Sequence, residues 1–319
     1  MKSIDLLINS IIEKKNPTVV GLDPDLKLFP LCYKNNCDKK SNPFEIVADA
    51  IFDFNKDIID TVYDLVPAVK PQIAFYEKYG SYGIKAFENT VKYAKSKGLI
   101  VITDAKRNDI GNTAKAYADA HLGTVELIDG STAPSFDSDF LTVSPFLGSE
   151  SLAPFIDVCK EYDKGVFVLV KTSNKTSGEI QDVITEKGIS VSQSLAEYVF
   201  KNADSCIGRY GYSSIGAVVG ATYPDEARIL RKMMPNSYFL VPGYGAQGGG
   251  ADEIVHCFNP DGLGAIVNSS RAVLFTHLSD KERNLCSKSE YLNSVRKAVE
   301  RMKCDIYNVL KLNCSYIKY

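Results

Sequence analysis

Asp104, Lys106 and Asp109 follow directly on an apolar run, Leu99–Ile102, within the stretch VITDAKRNDIGNT (101–113). A strand leaving a buried sheet would carry all three into a cleft. Carboxylate, ammonium and carboxylate alternate, so each charge has an opposite neighbour. Lys70 closes another apolar run, LVPAVK (65–70), and adds a second ammonium. Such a set can stabilise developing charge and hold a proton without a metal or an organic cofactor. A solvated turn after a core strand would draw on the same residue types. What stands at the ends of the other strands decides between the two.

Two segments near the C-terminal end suit an anion. GYGAQGGG (243–250) is rich enough in glycine to expose backbone N–H groups to a ligand, with Gln247 and Gly249 inside it. NSSRAVLF (268–275) opens a helix whose first turn, at Ser270 and Arg271, combines free N–H groups with a guanidinium fork. Together they read as a phosphate grip.

The elements that must position these residues alternate along the whole chain. TVVGLD (18–23), LVPAVKPQIAF (65–75), LIVITDAK (99–106), FLTVSPF (140–146), VFVLVKTS (166–173), IGAVVGAT (215–222), YFLVPGYGAQGG (238–249) and LGAIVNSS (263–270) are strand-like. Helix-like stretches separate them, and MKSIDLLINSIIEKKN at the start reads as a short amphipathic helix. Nearly continuous apolar character is what parallel strands covered on both faces show. Eight such units predict an α/β chain folded as a (β/α)8 TIM barrel, one domain over residues 1–319. An open doubly wound sheet would carry GxGxxG after its first strand, where this chain has GLDPDLKLF (21–29). Polar, glycine-bearing residues 174–190 predict a lid; segments 24–43 and 124–139 carry no pattern that assigns a role.

In such a barrel the catalytic groups stand at the C-terminal strand ends. Asp23 ends strand one, Lys70 strand two, Asp104 and Lys106 strand three, Ser144 strand four, and Thr172 with Ser173 strand five. Gln247 follows strand seven, and Asn268, Ser269, Ser270 and Arg271 stand at the eighth. Surface charge without a role would load both strand ends equally. The strands seven and eight position is also where barrels bind phosphate.

The 319 residues are 45% hydrophobic and carry a formal charge of −2. That supports a real core and argues against a nucleic-acid partner. No run approaches the length of a membrane span. Asp5 and Glu13 speak against a secretory signal or transit peptide, so a cytoplasmic location is expected. Eight cysteines form no CxxC pair, and the three histidines are scattered, so no metal site is expected.

The motifs taken in order resemble the orotidine 5′-monophosphate decarboxylase family. ITDAKRNDIGNT (102–113) fits that family's signature over its length, and GLDPD, VKPQIAFYE, LVKTSN, VPGYGAQGG and NSSRAV agree in order. The chain is most similar to the longer form found in some bacteria and malaria-type parasites. The resemblance implies a barrel homodimer with shared active sites that converts orotidine 5′-monophosphate (OMP) to UMP and CO2 in pyrimidine biosynthesis, with no cofactor. It implies Lys70, Asp104, Lys106 and Asp109 as the catalytic tetrad, with Asp109 delivered to the neighbouring subunit and Thr113 near the ribose there. Asp23 and Lys70 would contact ribose hydroxyls, and Thr172 or Ser173 the pyrimidine edge. Gln247, Gly249, Ser270 and Arg271 would hold the phosphate. Orotate phosphoribosyltransferase is the candidate partner enzyme. Gln72 stands where some relatives carry asparagine. Metal-dependent keto-sugar-phosphate decarboxylases share the D-x-K-x-x-D core, so they and a non-catalytic nucleotide-binding barrel are the alternatives.

Overall fold

The computed structural model describes residues 1–34, 42–245, 250–278 and 287–319. Eight parallel strands close a barrel: β1 (Thr18–Leu22), β2 (Ala68–Pro71), β3 (Ile100–Arg107), β4 (Phe140–Val143), β5 (Gly165–Lys171), β6 (Ser213–Val219), β7 (Ser237–Val241) and β8 (Ala265–Ser269). Each pairs with its neighbours in sequence, and β8 returns to β1 with Thr18 opposite Val267 and Val20 opposite Ser269. The longer helices are α1 (Ser3–Lys14), α2 (Pro43–Val62), α3 (Gly80–Ser96), α4 (Gly111–Leu122), α5 (Ser149–Tyr162), α6 (Val191–Ala203), α7 (Pro224–Met233) and α8 (Lys288–Asn313). The (β/α)8 expectation holds, with strand ends moved by a few residues. β2 ends at Pro71, short of the strand-like run to Phe75.

The barrel interior is filled from one end. Ile4, Leu7, Ile8 and Ile11 of α1 pack with Val19, Ala68, Ile100 and Ile266 near the strand starts. This helix plugs the N-terminal mouth and leaves the C-terminal mouth as the one open to a ligand. In the middle, the Phe140 and Phe167 rings stack with centroids 5.1 Å apart. A Cβ at Gly165 would lie 2.3 Å from the Phe140 ring, so only glycine leaves room for it there. Outside the barrel, two further clusters bury the apolar faces of the surrounding helices against the strands.

The described parts of the two unassigned segments pack on the barrel or pair as a ribbon; residues 35–41 lie outside the described residues. Phe29 and Tyr33, from 24–43, pack on Phe54 of α2 with ring centroids 4.2 Å and 5.1 Å away. Within 124–139 a two-stranded antiparallel ribbon sets Val125 opposite Ala133 and leaves Leu127 and Ile128 exposed.

α7 looks polar in sequence, yet its Arg231 is buried and forms no salt bridge among the described residues. Its guanidinium donates to the carbonyls of Cys257 (3.1 Å), Met234 (2.8 Å), Ser237 (2.9 Å) and Gly264 (2.9 Å), and lies 3.6 Å from the Phe239 ring centroid. Burial lowers its pKa to about 10. The side chain ties the entry of β7 to that of β8. Arg231→Ala would orphan several buried carbonyls at once, a loss of about 3 kcal/mol or more. Urea unfolding should show the lower midpoint, and Arg231→Lys, without the fork, should recover little of it.

Candidate active site

β3 does not run straight to its end. Its register against β4 shifts between Thr103 and Arg107, and Lys106 takes φ +48°. A left-handed lysine costs on the order of 1 kcal/mol or more. Thr142 of β4 holds the kink: its hydroxyl accepts the N–H groups of Ala105 and Lys106, both at 3.0 Å, and donates to Asp104 Oδ1 at 3.0 Å. The kink turns Lys106 back, so that its ammonium meets the same carboxylate.

Asp104 is therefore held from two sides. Lys70 Nζ donates to Oδ2 at 2.7 Å and Lys106 Nζ to Oδ1 at 2.5 Å. Lys70 and Asp104 are buried, whereas the Lys106 side chain is about half exposed. Burial pushes the Asp104 carboxyl up, but the two ammonium groups outweigh it and hold the carboxyl well below its ordinary range. Burial pulls Lys70 down, and the charges of Asp104 and Asp23 outweigh that and hold it above its ordinary value.

These groups line a cavity of about 560 Å³ at the C-terminal mouth. On the β1–β8 side, Asp23 Oδ1, Asn268 Oδ1 and Ser270 Oγ are buried without a hydrogen-bond partner among the described residues. Unpaired buried polar atoms need an explanation, and a polar ligand in the cavity supplies one. Gly21 makes the space: a Cβ there would lie 2.8 Å from Ser270 Cβ and 3.1 Å from Asn268 Oδ1. Arg271 borders the cavity as the first residue of a short helix, Arg271–Leu274. On the β5 side, Thr172, Ser173, Asn174 and Gln181 complete the wall.

Of the residues expected from sequence, Asp23, Lys70, Asp104, Lys106, Thr172, Ser173, Ser270 and Arg271 meet at this cavity. Asp109 and Thr113 do not line it. Asp109 Oδ1 accepts its neighbour's N–H, from Ile110, at 2.8 Å, and Thr113 is exposed on α4. Gln247 and Gly249 lie outside the described residues. Sequence reading passed over Thr142, Asn174 and Gln181 and gave Asn268 no role. Thr142 had a signal, a hydroxyl inside the apolar strand FLTV.

The fold is of the (β/α)8 class, with a candidate site in the cavity at the C-terminal mouth. The chain belongs to the Orotidine 5′-phosphate decarboxylase / HUMPS family, whose model matches residues 18–277. It is 45% identical to an orotidine 5′-phosphate decarboxylase of Rhodopirellula baltica over 293 residues, 92% of this chain and 95% of that one. A relative of the same name from Caldicellulosiruptor bescii is 38% identical over 91% of this chain and 94% of its own. Among solved structures, the OMP decarboxylase of Leishmania donovani superposes with a TM-score of 0.69 at 27% identity, covering 98% of this chain and 99% of that one.

The ion pair sets a pH dependence. A carboxyl whose pKa is depressed on folding contributes stability above its ordinary value of 3.8, and that contribution is lost as pH falls through the folded value. Lys70, raised on folding, contributes fully below its ordinary 10.5 and loses the contribution as pH rises through its folded value. Urea midpoints of the wild type should therefore fall more steeply with acidification below about pH 4 than those of Asp104→Asn. Parallel curves would show that Asp104 is not the group responsible.

Proposed function

We propose that this cavity decarboxylates OMP to UMP and CO2 with Lys106 as the acid at C6. The observation that carries the proposal is the buried Asp104 carboxylate held between Lys70 and Lys106. Breaking the C6–carboxylate bond leaves an electron pair on C6 of a ring with no ready electron sink. A fixed ammonium beside C6 stabilises that pair, and its proton then forms the C6–H bond, leaving a neutral amine. Asp104 faces the substrate carboxylate, and the repulsion between them is relieved as neutral CO2 departs. Lys70 holds Asp104 ionised and, with Asp23, meets the ribose hydroxyls.

Arg271 and the start of its helix hold the phosphate, with Gln247 and Gly249 assigned there by the family pattern. Phosphate binding remote from C6 can drive closure of residues 174–190 as a lid. The working form is a two-fold dimer. Asp109 and Thr113, which do not reach their own cavity, complete the partner's, and exposed Ile110 and Tyr117 beside them give an apolar surface for contact. No helix among the described residues is long and apolar enough to cross a membrane.

Turnover of OMP by exhaustively chelated protein tests the reaction; activity lost with EDTA and restored by Mg2+ would favour a metal-dependent sugar-phosphate decarboxylase. Lys106→Ala should lower kcat by about a thousandfold or more without unfolding the chain. Arg271→Ala should mainly weaken UMP binding. The shared site has its own test. Inactive Lys106→Ala and Asp109→Ala subunits, refolded together, form mixed dimers with one intact site. Activity should return on mixing, and verified mixed dimers without it would place Asp109 in its own subunit only.

A further inference from the structure

The cavity wall after β5 is built by an interlock of consecutive residues. Gln181, at the end of the short helix Gly178–Gln181, uses both ends of its carboxamide on Thr172. Its Oε1 accepts the Thr172 N–H at 2.9 Å, and its Nε2 donates to Thr172 Oγ1 at 2.9 Å. Thr172 Oγ1 passes its own proton to Asn174 Oδ1 at 2.7 Å, and Asn174 Nδ2 donates to Thr176 Oγ1 at 3.1 Å. The next pair along repeats the grip with charge: Lys171 Nζ, wholly buried, meets Asp182 Oδ1 at 2.5 Å and lies 4.4 Å from the Tyr223 ring centroid. From the other side, Thr222 Oγ1 donates to the Ser173 carbonyl at 3.2 Å and Tyr223 Oη to the Asn174 carbonyl at 3.1 Å.

We propose that Gln181 is a positioning residue for pyrimidine recognition: it fixes Thr172, and with it the Thr172–Ser173 turn, in one hydrogen-bonding sense. The proposal rests on the reading of the cavity as a pyrimidine nucleotide site. A freely rotating hydroxyl can face a ligand as donor or acceptor and so discriminates little. Here the Thr172 proton is committed to Asn174, and one lone pair is taken by Gln181. The oxygen has acceptor capacity left and no proton to give. Toward the cavity it can satisfy a ring N–H and not a ring nitrogen lone pair. A pyrimidine imide presents an N–H at that edge, whereas an aminopyrimidine such as cytosine presents a lone pair. A site built to hydrogen-bond one group rejects the analogue that lacks it, because its own polar atoms are left unpaired. Gln181 lies in the 174–190 segment, so the same contact links the position of that segment to the base-reading turn.

The test is binding by calorimetry of UMP, CMP and ribose 5-phosphate to the full-length wild type, Gln181→Ala and Gln181→Glu. Gln181→Ala should weaken UMP about tenfold and narrow the UMP/CMP ratio by a similar factor, with ribose 5-phosphate unchanged. Gln181→Glu keeps an acceptor for the Thr172 N–H and loses the donor to its hydroxyl, so its loss should be smaller. An unchanged UMP/CMP ratio in Gln181→Ala would overturn the proposal. So would equal weakening of UMP and ribose 5-phosphate, which would mark general loosening of the wall. These measurements need no turnover. A wild type that binds UMP through Gln181 yet fails to decarboxylate OMP would overturn the proposed reaction and leave this role standing.

Discussion

A carboxylate buried between two ammonium groups is the constraint on which the C-terminal mouth depends. Removing Asp104 from water is expensive, and only close, well-aligned partners offset it. The partners come from different places: Lys70 from β2, and Lys106 from two residues beyond Asp104 on β3 itself. A straight strand sends residues two apart to the same face with parallel side chains. The shift in β3 and the left-handed Lys106 instead bring the second ammonium onto the carboxylate. With Asp23, which acts on Lys70 through its charge, the group sums to zero. A further carboxylate entering the cavity would therefore perturb a balanced set. Lys106, the one half-exposed member, is the part free to respond.

The opposite wall is organised by absence of bulk. Gly21 lets Asn268 and Ser270 crowd against β1, and their polar atoms end up buried and, among the described residues, unpaired beside that of Asp23. This wall leaves polar groups that a ligand could pair, whereas the Lys70–Asp104–Lys106 set is already paired within the chain. The two strategies suit different tasks. Groups that bind gain by waiting unpaired, since the ligand supplies the missing hydrogen bonds. Groups that must hold a charge state gain by being fixed beforehand.

Most of the barrel was legible because its strands are buried on both faces and read as short apolar runs, with polar residues at their exits. The charged set was legible for the same reason: Asp104 and Lys70 interrupt an apolar pattern where a strand stops. What escaped depends on contacts between elements that sequence spacing does not encode. Gln181 sits in a polar stretch like many others, and only its reach back to Thr172 distinguishes it. Arg231 follows helical periodicity as a polar-face residue, yet five carbonyl contacts and a ring draw it inside. The ribbon at 125–133 has too few residues for a periodicity to emerge.

Thr142 shows how one small side chain serves both strain and charge. A valine would fill the same space but could neither accept the two N–H groups of the kinked strand nor donate to Asp104. Those part-buried N–H groups would then lose their acceptor, and the kink its support. A serine would keep the oxygen and lose the methyl group that restricts its rotamer in a strand. Threonine at this position thus makes the conformation of Lys106 and the placement of the Asp104 carboxylate a single arrangement. Neither can relax alone, because the hydroxyl that supports the backbone of one is the hydroxyl that orients the other.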